Sequence, residues 1–162
     1  MTTGVNHSPV AVTKPRTLVG LLRARAQGGP ERVAYRFLSE GEAQEESVTY
    51  GELEGRARAI AAVLQRTCGE GERALLLYPP GLDYVAAFFG CIYAGVIAVP
   101  AFPPHASRRQ RLESIAADAQ AALALTTARI LERVSSRPEQ KGSLDQLSWL
   151  ATDLLAPDSH GQ

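Results

Sequence analysis

Residues 72–104 read ERALLLYPPGLDYVAAFFGCIYAGVIAVPAFPP, and this stretch decides the fold. Ala74 to Tyr78 is a short apolar run closed by Pro79, Pro80 and Gly81, the pattern of a strand buried on both faces ahead of a sharp turn. Leu82 to Ala94 is apolar on nearly every side and ends at Gly95, which can adopt the left-handed conformation that closes a helix. Val96 to Val99 predicts a second buried strand, stopped by Pro100. Two strands separated by a helix need a crossover connection, so they pair in parallel and with a right-handed crossover. The stretch is a βαβ unit.

Working outward toward the N-terminus, residues 1–15 are small and polar and predict a mobile leader ahead of a domain over 16–152. Thr17 is placed to cap a helix with Leu18, Leu21, Leu22 and Ala26 on its inner face, ended by Gly28-Gly29-Pro30. Val33 to Leu38 has the alternation of a strand, and the acidic run Ser39 to Glu46 predicts a hairpin loop leading to Ser47 and Val48. With no apolar wall to shift their ionisation, Glu45 and Glu46 are solvated charges rather than an acid and base pair. Thr49-Tyr50-Gly51-Glu52 fits the capping-box pattern, with Val48 and Leu53 placed as a hydrophobic staple. The helix that follows carries Leu53, Ala57, Ile60, Ala61 and Leu64 on one face. Capping accounts for both polar side chains, so Thr49 and Glu52 are structural.

Toward the C-terminus, Pro103 and Pro104 bend the chain out of the sheet. Ser107 and Gln110 predict a second capping box, opening a helix with Leu112, Ile115, Ala116 and Ala119 inward. Its first turn holds Arg108, Arg109 and Arg111, cations that oppose the helix dipole. That placement offers an anion or phosphate contact, set against the simpler pairing of Arg109 with Glu113 on a solvated face. Ala121 to Leu125 predicts a further buried strand, Thr126 or Thr127 a cap for a short helix through Val134, and Ser135 to Ser143 a polar loop. Leu147 to Leu150 predicts one more strand, with Trp149 at a rim, before residues 153–162 lose any core signal. The fold class is therefore α/β: a mostly parallel, doubly wound sheet flanked by helices, with 74–78, 96–99 and 121–125 as central strands.

Composition narrows the functional classes. The 162 residues carry 17 basic and 17 acidic side chains, which gives no general field for nucleic acid or an anionic membrane. Cys68 and Cys91 lack metal or redox spacing and fit a reducing cytoplasm as two small buried hydrophobes. No secretory signal and no stretch of membrane-spanning length is present. There is no G-x-S-x-G elbow and no G-x-G-x-x-G loop, and Gly69-Glu70-Gly71 is a turn. His7 and His160 lie in the terminal segments, and His105 has no local carboxylate to orient it as a base, so it reads as surface.

Residues 78–104 resemble the N-terminal region of fatty acyl-AMP ligases, members of the adenylate-forming superfamily. Tyr93-Ala94-Gly95-Val96-Ile97-Ala98-Val99-Pro100 is similar to the second core motif of that superfamily, and Val48-Thr49-Tyr50-Gly51-Glu52-Leu53 to the first. The narrower likeness, to acyl-AMP rather than acyl-CoA ligases, rests on Tyr78-Pro79-Pro80-Gly81 and Phe102-Pro103-Pro104. The resemblance implies the first subdomain of an enzyme that joins a fatty acid to ATP with magnesium, releases pyrophosphate and passes the acyl group to an acyl carrier protein. Such chemistry needs a glycine-rich phosphate loop with a lysine, acidic residues for magnesium, and a lysine on the reacting carboxylate. The only lysines here are Lys14 and Lys141, neither after a strand and a glycine-rich turn. The resemblance places those elements in the remaining part of the adenylating domain. It assigns no catalytic residue to this chain, implies that the chain alone is inactive, and leaves apolar surface open to self-association. Two other readings stand beside it: a non-catalytic α/β binding or interaction domain, and the N-terminal piece of an acyl-CoA ligase.

Overall fold

The computed structural model describes residues 15–39, 44–136 and 143–157. Helix α1 (Leu18–Gly28) leads into an antiparallel pair, β1 (Val33–Ser39) and β2 (Gln44–Thr49). Then come α2 (Tyr50–Thr67), β3 (Arg73–Leu77), α3 (Leu82–Ala94), β4 (Ile97–Ala101), α4 (Arg109–Ala119), β5 (Leu123–Thr126), α5 (Ala128–Ser135) and β6 (Ser148–Ala151). The last four strands form one parallel sheet in the order β4-β3-β5-β6.

Alternation along β3 divides the core. Ala74, Leu76 and Tyr78 face a cluster built with α2 and α3, including Leu53, Ile60, Leu64, Ala87 and Phe89. Leu75 and Leu77 face the other way, onto Leu112 and Ala116 of α4 and onto Leu144. The chain moves from β3 to one neighbour through α3 and then back across β3 to the other neighbour through α4. Direction and face reverse together, so both crossovers have one hand, as a doubly wound sheet requires. Helix α3 closes at Gly95 with φ 71, the left-handed conformation expected of it.

Distant side chains finish what local sequence leaves open. Arg73 Nε donates to the Ala119 carbonyl at 2.7 Å and its Nη2 to Gln120 Oε1 at 2.9 Å, placing a cation at the carbonyl end of α4.

Several expectations are corrected. Val96–Val99 is not a central buried strand: β4 spans Ile97–Ala101 at the sheet edge, with Ile97 52% exposed. Pro100 does not stop it but lies inside it, opposite Leu76. Ile97 N–H donates inward to the Glu72 carbonyl, so alternation turns Pro100 outward, where a missing donor costs no ladder bond. The acidic run is not all loop, because Gln44 to Glu46 belong to β2, and Arg36 pairs with Glu45 across the hairpin at 2.9 Å. Thr17 caps α1 as expected, yet Leu18 and Leu21 are exposed and only Leu22 and Ala26 are buried. The Ser107–Gln110 box does not form: a 3₁₀ turn over Ala106–Arg108 precedes α4, and Ser107 Oγ bonds His105 Nδ1 at 2.9 Å instead. All but Pro15 of the expected leader over 1–15, and most of the expected polar loop, 137–142, lie outside the described residues.

Candidate functional site

In parallel sheets the crevice for ligands opens beyond the carboxyl ends of the strands, where successive connections leave toward opposite faces. Here that edge carries the turn Tyr78-Pro79-Pro80-Gly81 after β3, Thr126-Thr127 at the end of β5, and a 3₁₀ turn over Thr152–Leu154 after β6. Three polar contacts tie these segments together. The Tyr78 and Thr152 hydroxyls bond at 2.7 Å, buried in the core. Thr126 Oγ1 donates to the Leu77 carbonyl at 2.7 Å, joining β5 to β3 beyond their ladder. Asp153 Oδ1 accepts the Ala128 N–H at 2.8 Å and caps α5. Thr127 stands at the cap position of α5 but its side chain makes no capping bond, so the expected local cap is replaced by one from 25 residues away. Burial pushes the Tyr78 phenol well above its ordinary range, so it stays a neutral hydrogen-bonding group.

Beside this edge lies an open cleft of about 580 Å³ lined by Phe37, Glu46, Ser47, Arg56 and the turn from Pro79 to Asp83. Arg56 of α2 pairs with Asp83 in the first turn of α3, both partly buried, and so clamps the proline turn between two helices. Sequence reading missed this clamp together with Thr152, Asp153 and Arg73, and offered Thr126 only as a helix cap, not as the donor to Leu77. Each of them acts on a partner more than twenty positions away.

The motif residues take structural places. Thr49 Oγ1 accepts the Glu52 N–H at 3.2 Å while Glu52 Oε2 accepts the Thr49 N–H at 2.8 Å, a complete capping box. Hydrogen bonding from the Thr49 backbone N–H, and next from the Thr49 side chain, holds the Glu52 carboxyl below its usual value. Val48 and Leu53 are buried beside it, Tyr50 packs against the same core, and Gly95 ends α3. The three arginines have parted company. Arg109 bonds Glu113 at 3.0 Å, the simple pairing anticipated, whereas Arg108 lies over the Phe102 ring at 5.4 Å and Arg111 is exposed. His105 is exposed as expected. Cys91 is buried and Cys68 half-buried, both free, with burial pushing their thiols up to about 12 and about 11. Among the described residues no group of three His, Cys, Asp or Glu side chains is placed to hold a metal ion. No described helix is long and apolar enough to cross a membrane.

The parallel sheet with helices on both faces, the capped α2 and the proline turn after β3 all lie within residues 22–161, which match the AMP-binding enzyme family. The chain belongs to that family. It is 43% identical over 151 residues to the medium-chain-fatty-acid–[acyl-carrier-protein] ligase JamA of Moorena producens (strain JHB), an alignment covering 89% of this chain and 26% of that protein. It is 32% identical to Disco-interacting protein 2 of Drosophila melanogaster, over 84% of this chain and 8% of that protein. Among solved structures, the fatty acyl-adenylate ligase of Legionella pneumophila in complex with acyl adenylate and pyrophosphate matches with a TM-score of 0.76 and 32% identity, covering 86% of this chain and 24% of that one. The chain thus spans about a quarter or less of the length of each of these three relatives. Its fold is that of the N-terminal subdomain of adenylate-forming enzymes.

Proposed function

We propose that these residues form the N-terminal subdomain of a fatty acyl-AMP ligase, which activates a fatty acid with ATP and magnesium and delivers the acyl group to an acyl carrier protein. The observation that carries this reading is the 43% identity, across nearly the whole chain, to a fatty-acid–[acyl-carrier-protein] ligase. The turn geometry supports it. Tyr78-Pro79-Pro80-Gly81, on which the likeness to acyl-AMP ligases rests, is held rigid at the carboxyl edge by the Tyr78–Thr152 bond and the Arg56–Asp83 pair.

In this reading the chain's own residues make a wall and position it, and the nucleotide and magnesium are held by other parts of the enzyme. Adenylation brings an anionic carboxylate against a polyphosphate, and that repulsion must be offset by aligned donors and cations. At the described edge the hydroxyls are engaged with each other or with a backbone carbonyl, one carboxylate is engaged as a cap and the Arg56 cation is paired with Asp83, so these side chains supply shape rather than charge compensation. Residues 1–162 alone are therefore inactive.

The test is mass-resolved detection of acyl-adenylate with ATP, magnesium and medium- and long-chain fatty acids. Product is expected from a ligase of the length of its relatives that contains this sequence, and none from residues 1–162. Acyl-adenylate made by the 162-residue chain would overturn the assignment of inactivity. Its absence from the longer protein would overturn the assignment of chemistry.

A further inference from the structure

Phe102 is 75% exposed, the most exposed of the large apolar side chains in the described chain, and it stands just past the end of the edge strand β4. It is not bare. The Arg108 guanidinium lies 5.4 Å from its ring centroid, stacked from the start of α4. One helical turn on, Arg111 is exposed and has no carboxylate partner among the described residues. The nearest acid in sequence, Glu113, is taken by Arg109. In a chain whose charges balance at 17 and 17, this corner is locally cationic, and an aromatic ring lies at its centre.

We propose that Phe102, Arg108 and Arg111 form a docking surface for the acidic face of an acyl carrier protein. This rests on the reading given under "Proposed function", in which a carrier accepts the acyl group. Three physical points favour a protein partner over a bare anion. Aromatic residues and arginine are the types enriched in the energetic centres of protein interfaces. Stacking on Phe102 pre-orders Arg108, so less side-chain entropy is lost when a carboxylate pairs with it. The Pro103-Pro104 segment between the ring and the 3₁₀ turn restricts the backbone that spaces the two groups. An anion held by α4 alone would gain little, because Arg108 occupies the cap position and Arg109 is already engaged.

The experiment is fluorescence anisotropy of a dye-labelled apo acyl carrier protein titrated with the 162-residue chain at low and at high salt. It is repeated with Arg108→Glu/Arg111→Glu, with Phe102→Ala, and with Arg129→Glu/Arg133→Glu as an equal charge change on the exposed side of α5. The double reversal is expected to weaken binding by about tenfold or more, Phe102→Ala by a smaller factor, and the α5 variant by less than about twofold, with salt weakening the parent complex. Far-UV circular dichroism checks that each variant folds. No binding by the parent chain, or equal binding by parent and double reversal, overturns the proposal. In a longer ligase the same double reversal is expected to leave acyl-adenylate formation unchanged, since that step needs no carrier, and to raise KM for the carrier. Loss of adenylate formation instead would assign the arginines to nucleotide phosphates and overturn the docking surface. A longer protein that forms no adenylate while this chain still binds the carrier would overturn the function and leave the surface standing.

Discussion

Gly90 sits where α3 crosses α2, and replacing it by alanine sets two effects against each other. An exposed helix interior would gain about 1 kcal/mol from Gly→Ala, because alanine restricts the unfolded chain and forms helix better. At this site a Cβ would lie 2.6 Å from Ile60 Cγ2, 2.7 Å from Ile60 Cβ and 3.3 Å from the Ala57 carbonyl oxygen. Carbon atoms pack best at about 3.5–4.0 Å, so the two helices must separate by about 1 Å or Ile60 must move. Ile60 is 2% exposed and β-branched, stiff about χ1, and its Cβ cannot swing aside. Overpacking of this kind costs about 1–3 kcal/mol, which cancels the propensity gain at the low end of that range, outweighs it over the rest, and leaves a net loss of up to about 2 kcal/mol. With a urea dependence of about 2 kcal/mol/M, the unfolding midpoint falls by up to about 1 M. The assay is urea unfolding followed by far-UV circular dichroism and by fluorescence of the single tryptophan, Trp149. Trp149 packs on the α4 side of the sheet and so reports whether the whole domain unfolds together. In an Ile60→Ala background the Cγ2 contact is gone, and the Gly90→Ala penalty is expected to shrink by at least about 0.5 kcal/mol in a double-mutant cycle. A midpoint raised by Gly90→Ala, as at an open helix position, would refute the close α2–α3 contact.

Two further outcomes follow from the polar contacts. Thr126→Val keeps shape but removes the buried donor to the Leu77 carbonyl, and should cost about 1–2 kcal/mol, with hydrogen exchange rising at the β3–β5 boundary; unchanged stability would remove that bond from the account. Glu52 has its folded pKa lowered from an ordinary 4.5 by the Thr49 bonds, so its contribution is present above that value and is lost as pH falls through the folded value. The stability gap between the parent and Glu52→Gln is therefore expected to be constant near neutral pH and to narrow in acid, and a gap independent of pH would count against the ionised capping box.

Much of the fold is legible before any coordinates, for one physical reason: its signals are local. The α2 capping box needs only the four residues from Thr49 to Glu52, and its buried stripe, Leu53, Ala57, Ile60, Ala61 and Leu64, follows from helical period alone. Helix α3 was readable to the residue, from Leu82 to Ala94, because the turn before it and Gly95 after it are fixed by backbone conformation. The family likeness is likewise carried by contiguous motifs. What local sequence could not decide was which strand lies at an edge. The run Ile97-Ala98-Val99 is as apolar as a central strand, and only the order β4-β3-β5-β6 leaves one side of it unpaired and makes room for Pro100. The candidate site was hidden for the same reason. Thr126, Thr152, Asp153, Arg56 and Arg73 are ordinary polar residues in sequence, and their roles come from partners 25 to 74 positions away. Capping, periodicity and turn chemistry act within a few residues and are written in the chain itself, whereas strand order and contacts at the carboxyl edge exist only once the sheet has brought distant segments together.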